Sequence, residues 1–441
     1  MWRYNRPVAG QRPGARDRRS ATAHPDDTAK PPADPAAETQ PKLGGSITVA
    51  LRLYSSFRMM WLGTVATNLG QWMQNIALGW YMLVLTNSPL WVGLIGFAAG
   101  VPYLLITLPA GALIDRADER RVLMATQWAA MGTATLLAAL ILSGSAESWH
   151  LLVAAAINGA IMAVNGTVRQ TFVPSLVPRE HLANAVSLSS AGANAMRIIG
   201  PSIAGGIIGL FGVAICFIIQ AFALAGALLA TMRIEPVPNE RGGIAPGGIL
   251  DGFTEVRRKP AIGSLMLLTA IPATLVFPYI QLMPVFARDV FDIGAAGLGI
   301  LMAASGVGAL TGALVAATMD RVERKGLAVM ILATVYCAAV AGFAASPGPI
   351  LAMVGLFMAG ITGSIFGSLS NALLLLLSNA RVRGRVMGVY MLTSGFTPFG
   401  ALALGAIAER AGTPKAVTGA ALLAMVLVGL STTRMKELRT T

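Results

Sequence analysis

Few residues in this chain are placed to do chemistry, and the most unusual is Arg197. It sits in the middle of an apolar run, with Ser187, Ser190 and Asn194 at the three- and four-residue spacing that puts all four on one helical face. None of the 20 acidic residues lies deep in an apolar run. A cation without a counter-ion costs roughly 3 kcal/mol or more in such a place, so Arg197 must face a cavity or a ring of neutral acceptors. In a cavity it would attract a carboxylate, phenolate or phosphate and repel cations. A structural tie to a neighbouring helix, or snorkelling to an aqueous edge, would account for it without a ligand.

Asp115 is the second such residue. It closes an apolar run and is followed by Arg116, Arg120 and Arg121. A carboxylate at the mouth of a helix bundle can accept from nearby Arg side chains or sit against a positive helix N-terminus, and either contact breaks when two bodies rock apart. The plain alternative is a solvated loop. Enzyme chemistry has little to stand on. His24, His150 and His181 are isolated, Cys216 and Cys337 sit singly in apolar runs, and there is no P-loop. The run Gly306-Val-Gly308-Ala-Leu-Thr-Gly312 imitates a dinucleotide loop but lies inside an apolar run with no strand before it, so helix packing explains it better. No metal site or cofactor is expected.

The elements that position these residues must be membrane helices. Of 441 residues 12% are charged, against about 25% in a soluble domain, and 55% are apolar; the mean hydropathy is +0.67. Twelve apolar segments between residues 58 and 433 are each long enough, at 1.5 Å per residue, to cross about 30 Å of hydrocarbon. Helices are required, because open strands would leave backbone groups unpaired in lipid. Residues 1–50 are basic, rich in Pro and without an apolar run, which predicts a disordered cytoplasmic tail and no cleavable signal peptide. The segments divide into halves at 51–232 and 261–433, joined by a polar central loop at 233–260, with a short tail at 434–441.

Charge placement orients the bundle. Of the 33 Lys and Arg, only Arg288, Arg410 and Lys415 fall on the odd-numbered connections, and only Arg197 lies deep within a span; the others lie in the tails, in the even-numbered connections or, like Arg169, at the span ends that adjoin them. That asymmetry puts both termini in the cytoplasm. The net charge of +13 then reports topology and attraction to the leaflet; nucleic acid is not an expected partner. A repeat crosses the divide: Gly-Ala-Leu at Gly111 precedes Asp115-Arg116, and Gly-Ala-Leu at Gly312 precedes Asp320-Arg321. Two parallel halves with a site between them near the midplane are a transporter plan.

Further polar stripes run along other spans. Asn68, Gln71 and Asn75 share a face in span one, with Gln74 beside it; Asn158, Met162, Asn165 and Arg169 do so in span four, and Ser364, Ser368 and Asn371 in span ten. Span seven has Tyr279 and Gln281 among Pro272, Pro278 and Pro284, which favour a bendable helix. Hydrogen bonds between helices, worth about 0.6 kcal/mol each, would explain part of this set without any ligand.

The run Gly111-Ala-Leu-Ile-Asp115-Arg116, ending in Arg120 and Arg121, resembles the signature loop of the major facilitator superfamily. Trp72-Met-Gln-Asn75, Leu85-Thr-Asn-Ser-Pro89, Val164-Asn-Gly-Thr-Val-Arg-Gln170, Val177-Pro-Arg-Glu180, Leu182-Ala-Asn-Ala-Val186 and Ile199-Gly-Pro201 narrow the resemblance to its bacterial branch of enterobactin exporters and transmembrane secretion effectors. The resemblance implies an all-α membrane protein with twelve transmembrane helices in two six-helix halves. By the same resemblance Asp115 and Arg116 stabilise one closed state with Arg169 as partner, with an analogous role for Asp320 and Arg321. Spans one, four, seven and ten would line the substrate cavity, and Gly200-Pro201 with Gly205 and Gly206 resembles an antiporter motif, although Pro201 as a bend and Gly205 as a packing face serve equally well.

The implied function is secondary active transport: a proton-coupled exporter of a small organic molecule of siderophore, metabolite or drug type, working by alternating access as a monomer in the plasma (inner) membrane. Its partners would be that small-molecule substrate, the lipid bilayer and coupling protons. An importer or facilitator of the same fold is the alternative within transport. A membrane scaffold or receptor lies outside that class and has no need of polar stripes converging from four helices.

Overall fold

The computed structural model describes residues 49–114, 118–234, 249–319, 324–378 and 383–434. The loop residues Asp115, Arg116, Asp320 and Arg321 and the tail before residue 49 lie outside that set.

The chain is a bundle of helices: α1 (Val49–Leu53), α2 (Ser55–Thr86), α3 (Pro89–Ile114), α4 (Glu119–Leu142), α5 (Ser148–Ser175), α6 (Leu182–Phe211) and α7 (Val213–Met232), then α8 (Ile249–Arg258) inside the central connection. The second half has α9 (Pro260–Leu275), α10 (Met283–Val285), α11 (Gly294–Ala317), α12 (Lys325–Ala344), α13 (Pro349–Leu377), α14 (Arg383–Thr393), α15 (Thr397–Ala411) and α16 (Thr413–Arg434). Among the described residues ten segments are both long and apolar enough to cross a membrane. Two further stretches are consistent with the expected twelve. One is α2, whose polar face dilutes its hydropathy, and the other is the pair α14 and α15, broken at Ser394–Phe396. Span seven is broken too. After Leu275 the chain tightens into a 3-10 turn at Phe277–Leu282 and widens into a π turn at Phe286–Val290, as expected where Pro278 and Pro284 supply no backbone donor.

Helix ends follow local chemistry. The Asp118 carboxylate accepts from the backbone N–H groups of Arg120 and Arg121 at the start of α4. Positive φ at Gly212 and Gly412 turns the chain sharply into α7 and α16, which are equivalent corners of the two halves.

In the first half α2 packs on α6 and α7, α3 on α5, and α4 on α5 and α7; in the second, α11 packs on α13, and α12 on α13 and α16. The halves meet along two seams, α6 against α11 and α3 against α15. Both seams are made by paired glycines. A Cβ on Gly205 would lie 2.5 Å from the Cα of Gly299, and one on Gly93 would lie 2.5 Å from the Ala401 carbonyl and 3.1 Å from the Cα of Gly405. Gly308 and Gly312, from the run that imitates a nucleotide loop, pack their α11 backbone on Phe357 and Ile361 of α13.

The apolar cores divide unevenly. One continuous core draws on both halves and includes Met82, Val92, Ile208, Leu282, Leu301, Phe343 and Leu404. It lies at the end of the bundle remote from the basic connections. At the basic end there are two cores, each built from one half: Phe57, Leu123, Phe172 and Ile234 in the first, and Leu265, Met330, Leu369 and Val386 in the second. Among the described residues, then, one core is shared by the halves at one end, and each half has its own core at the other.

Candidate functional site

Arg197 lies fifteen residues into the thirty-residue helix α6, about 22 Å along it and close to its midpoint. Two exposed strips run along this helix. One is apolar, with Ile199, Ile203 and Leu210 at 43%, 39% and 78% exposure, and suits lipid. The other carries Ser187, Ser190, Asn194 and Arg197, all exposed, with the Asn194 amide donating to the Ser190 carbonyl at 3.0 Å. The polar strip is thus exposed at mid-height, on the side of α6 opposite Ile199, Ile203 and Leu210. Arg197 lies within electrostatic reach of Tyr279 of span seven, and among the described residues it is in no ion pair. In the other half, Ser368 and Asn371 of α13 are exposed and Ser364 is half-buried.

The other stripes go elsewhere. Asn158 and Asn165 are buried and, with Gln71, line a small polar pocket inside the first half, shared with Thr67, Thr126, Gln127 and Gln220. The Gln71 amide donates to Asn158 at 3.2 Å, the Asn165 amide to the Thr126 hydroxyl at 3.1 Å, and the Gln127 amide to Thr231 at 3.0 Å. Gln220 donates to Gln74 at 2.7 Å. The amide oxygens of Gln127 and Gln220 have no hydrogen-bond partner among the described residues. Asn68 donates to the Thr64 carbonyl within its own helix, and Asn75 is half-buried. Tyr279 is buried in the shared core against Phe343. Gln281 sits in the α3–α15 seam, where its Cγ would lie 3.0 Å from a Cβ on Gly96. These side chains thus form the interior of the first half, the shared core and the seam rather than an open wall.

Arg169 belongs to the buried network. Its guanidinium donates to Asn165 one turn back on α5 at 2.5 Å, to Thr67 at 3.1 Å and to Thr64, and the last two contacts tie α5 to α2. Arg120 donates to the Thr231 and Met232 carbonyls at 3.3 and 2.5 Å, placing a cation on the C-terminus of α7. Arg121 pairs with Asp118 at 3.4 Å. Gly111 lies near the end of α3. Gly200 packs on Trp72 of α2, Gly205 on Gly299 of α11, and a Cβ on Gly206 would meet nothing within 4 Å; α6 continues through Pro201 without interruption.

Sequence reasoning missed three sets of residues. Thr126, Gln127, Gln220 and Thr231 lie in spans three and six, outside the four spans expected to line the cavity; amides in otherwise apolar runs were the available signal. Thr64 and Thr67 precede the span-one stripe by one helical turn. At the joined end, Glu409 accepts from the Ser88 hydroxyl at 2.7 Å and from the Leu90 N–H at 3.3 Å, while Arg288 donates to the Leu83 carbonyl at 2.8 Å.

A bundle of membrane-length helices in two halves that meet along two glycine seams is the plan of a major facilitator transporter, not of an enzyme. The chain belongs to the transmembrane secretion effector family of that superfamily, which it matches over residues 49–440. It is 28% identical over 385 residues to the multidrug efflux pump Tap of Mycolicibacterium fortuitum, covering 82% of this chain and 91% of that protein. It is 25% identical over 386 residues to the enterobactin exporter EntS of Escherichia coli O127:H6, covering 86% and 91%. A third match, to the staphyloferrin A transporter of Staphylococcus aureus, is 28% identical but spans 56% of this chain and 63% of that one. Among solved structures it is similar in fold to a bacterial homologue of the human lysosomal transporter Spinster in an inward-facing, occupied conformation, with a TM-score of 0.71 at 14% identity, covering 90% of this chain and 100% of that one.

Proposed function

We propose that this protein is a proton-coupled exporter of small organic anions that works by alternating access. The observation that carries the reading is the uneven division of the core, one shared at the remote end and two separate at the basic end. That is the geometry of one of two states related by rocking the halves about their glycine seams. Positive-inside charge places the basic end and both termini in the cytoplasm, so the gap opens toward the cytoplasm, where an exported substrate loads. The membrane is the plasma (inner) membrane and the working unit is a single chain, with halves at 51–232 and 261–433. Export is supported by the exporter relatives, and proton antiport by the Gly200-Pro201 stretch.

Substrate class follows from Arg197, the exposed cation at mid-height that has no carboxylate partner among the described residues. In a gap of reduced dielectric it favours a carboxylate, phenolate or phosphate and disfavours cationic drugs. The test is accumulation of anionic and cationic candidates in everted vesicles with an imposed pH gradient. Arg197→Gln keeps hydrogen-bonding capacity and removes the charge. It is expected to reduce anion transport selectively, with stability in detergent within about 1 kcal/mol of the parent. Unchanged transport of every anion by a stable variant would remove Arg197 from the site, and uptake that does not respond to the gradient would remove proton coupling.

A further inference from the structure

We infer that Arg288 and Glu409 form the outer gate of the transporter, a two-charge clasp by which the second half grips the tip of the α2–α3 hairpin in the first. The inference rests on the alternating-access reading.

The hairpin tip is short. Helix α2 ends at Thr86, Asn87 takes a left-handed conformation (φ 50°), and α3 begins at Pro89. Two helix ends of opposite polarity therefore lie side by side, the negative C-terminus of α2 and the positive N-terminus of α3. The second half meets each with the complementary charge. Arg288, at the end of span seven, donates to the Leu83 carbonyl in the last turn of α2. Its guanidinium is held by Asp289 through contacts of 2.5 and 3.2 Å. Glu409, in the last turn of α15, accepts from the Ser88 hydroxyl and from the Leu90 N–H in the first turn of α3. Both contacts cross between halves, and both lie at the joined end, just beyond the Gly93–Gly405 seam. They must break when that end opens.

Asp115 follows the far end of α3, where the sequence alone points to a carboxylate latch. Glu409 closes the far end of α15 and reaches the start of α3. The structure shows the Glu409 contact made in the state in which each half has its own core at the opposite end.

The test uses the full-length protein with Ala401→Cys as a reporter, since Ala401 is 2% exposed and lies against Gly96 in the same seam. Right-side-out vesicles are treated with a membrane-impermeant maleimide during turnover. Glu409→Gln and Arg288→Met are each expected to raise the labelling rate about fivefold, the scale of one charge–helix-end contact, and the double variant more than either. If the reporter is labelled in the parent but no faster in folded Glu409→Gln, the clasp is overturned while alternating access stands; this arm decides the matter even where Arg288→Met does not fold. If the reporter is never labelled while transport proceeds, the joined end does not open, and the alternating-access reading fails together with the clasp.

Discussion

Adding one methyl group at Gly205 tests whether the glycine seams are hinges between states or packing alone. A Cβ there would lie 2.5 Å from both the N and Cα of Gly299 and 2.6 Å from the Ala295 carbonyl oxygen. Non-bonded carbons settle at about 3.5–4.0 Å, so α6 and α11 must separate by about 1 Å at that level. Such overpacking costs about 1–3 kcal/mol. In a protein with two states the cost falls on the state whose seam is shut there, and differential free energies of that size shift populations about 5–150-fold. Gly206→Ala is an internal control, because a Cβ at Gly206 meets nothing within 4 Å. Both substitutions gain the same helix propensity, about 1 kcal/mol, which cancels in the comparison. Spin labels at Ser145→Cys and Ala345→Cys, exposed positions at the joined end of the two halves, would read the opening as a distance distribution; the native Cys216 and Cys337 are buried and should not label. Gly205→Ala is expected to populate longer distances and to slow transport, and Gly206→Ala to leave both unchanged. Identical distributions for the two variants would refute the hinge. So would a lower melting temperature for Gly205→Ala with no change in distance, which would leave the seam a matter of stability alone.

Two further predictions concern the charged residues of the first half. Arg169→Lys should fail to restore the thermal stability lost in Arg169→Gln, because an ammonium cannot reproduce a planar fork that reaches Asn165, Thr64 and Thr67 together; equal melting temperatures for Arg169→Lys and the parent would show that charge alone is needed. Asp115→Asn should leave the protein inserted and folded while cutting transport at least about tenfold, or about 1.4 kcal/mol in a barrier, and full turnover by that variant in everted vesicles would end the latch reading.

Arg197 could be found in the sequence because a single cation in the middle of an apolar run has few ways to be accommodated, and the structure gives it one, an exposed polar strip opposite a lipid face. Arg169 was harder to read. It lies six residues from the end of α5, about 9 Å along the axis, where a cation is ordinarily a topology signal. Its partners on α2 are 105 and 102 residues away, and a periodicity argument groups residues on one helix without showing which neighbour they meet. The same limit applies to Asn158 and Asn165. Their spacing puts them on one face, but that face turns toward Thr126, Gln127 and Gln220, so the stripe forms a hydrogen-bonded interior.

The charges at the helix ends show most clearly what composition conceals. Arg288 counts in the sequence as one of three bases on the sparsely charged side, and Glu409 as one acid in a loop. Each becomes specific only when chain segments 205 and 321 residues apart close on one another. A helix end has a fixed polarity, so a two-residue hairpin presents both signs within one small surface, and a body packing against it can hold it with one cation and one anion. Such contacts are short in range and only partly buried, so they are weak enough to break in each cycle while the glycine seams keep the register. A deeply buried ion pair in the same position would cost several kcal/mol to separate and would hold the protein in one state.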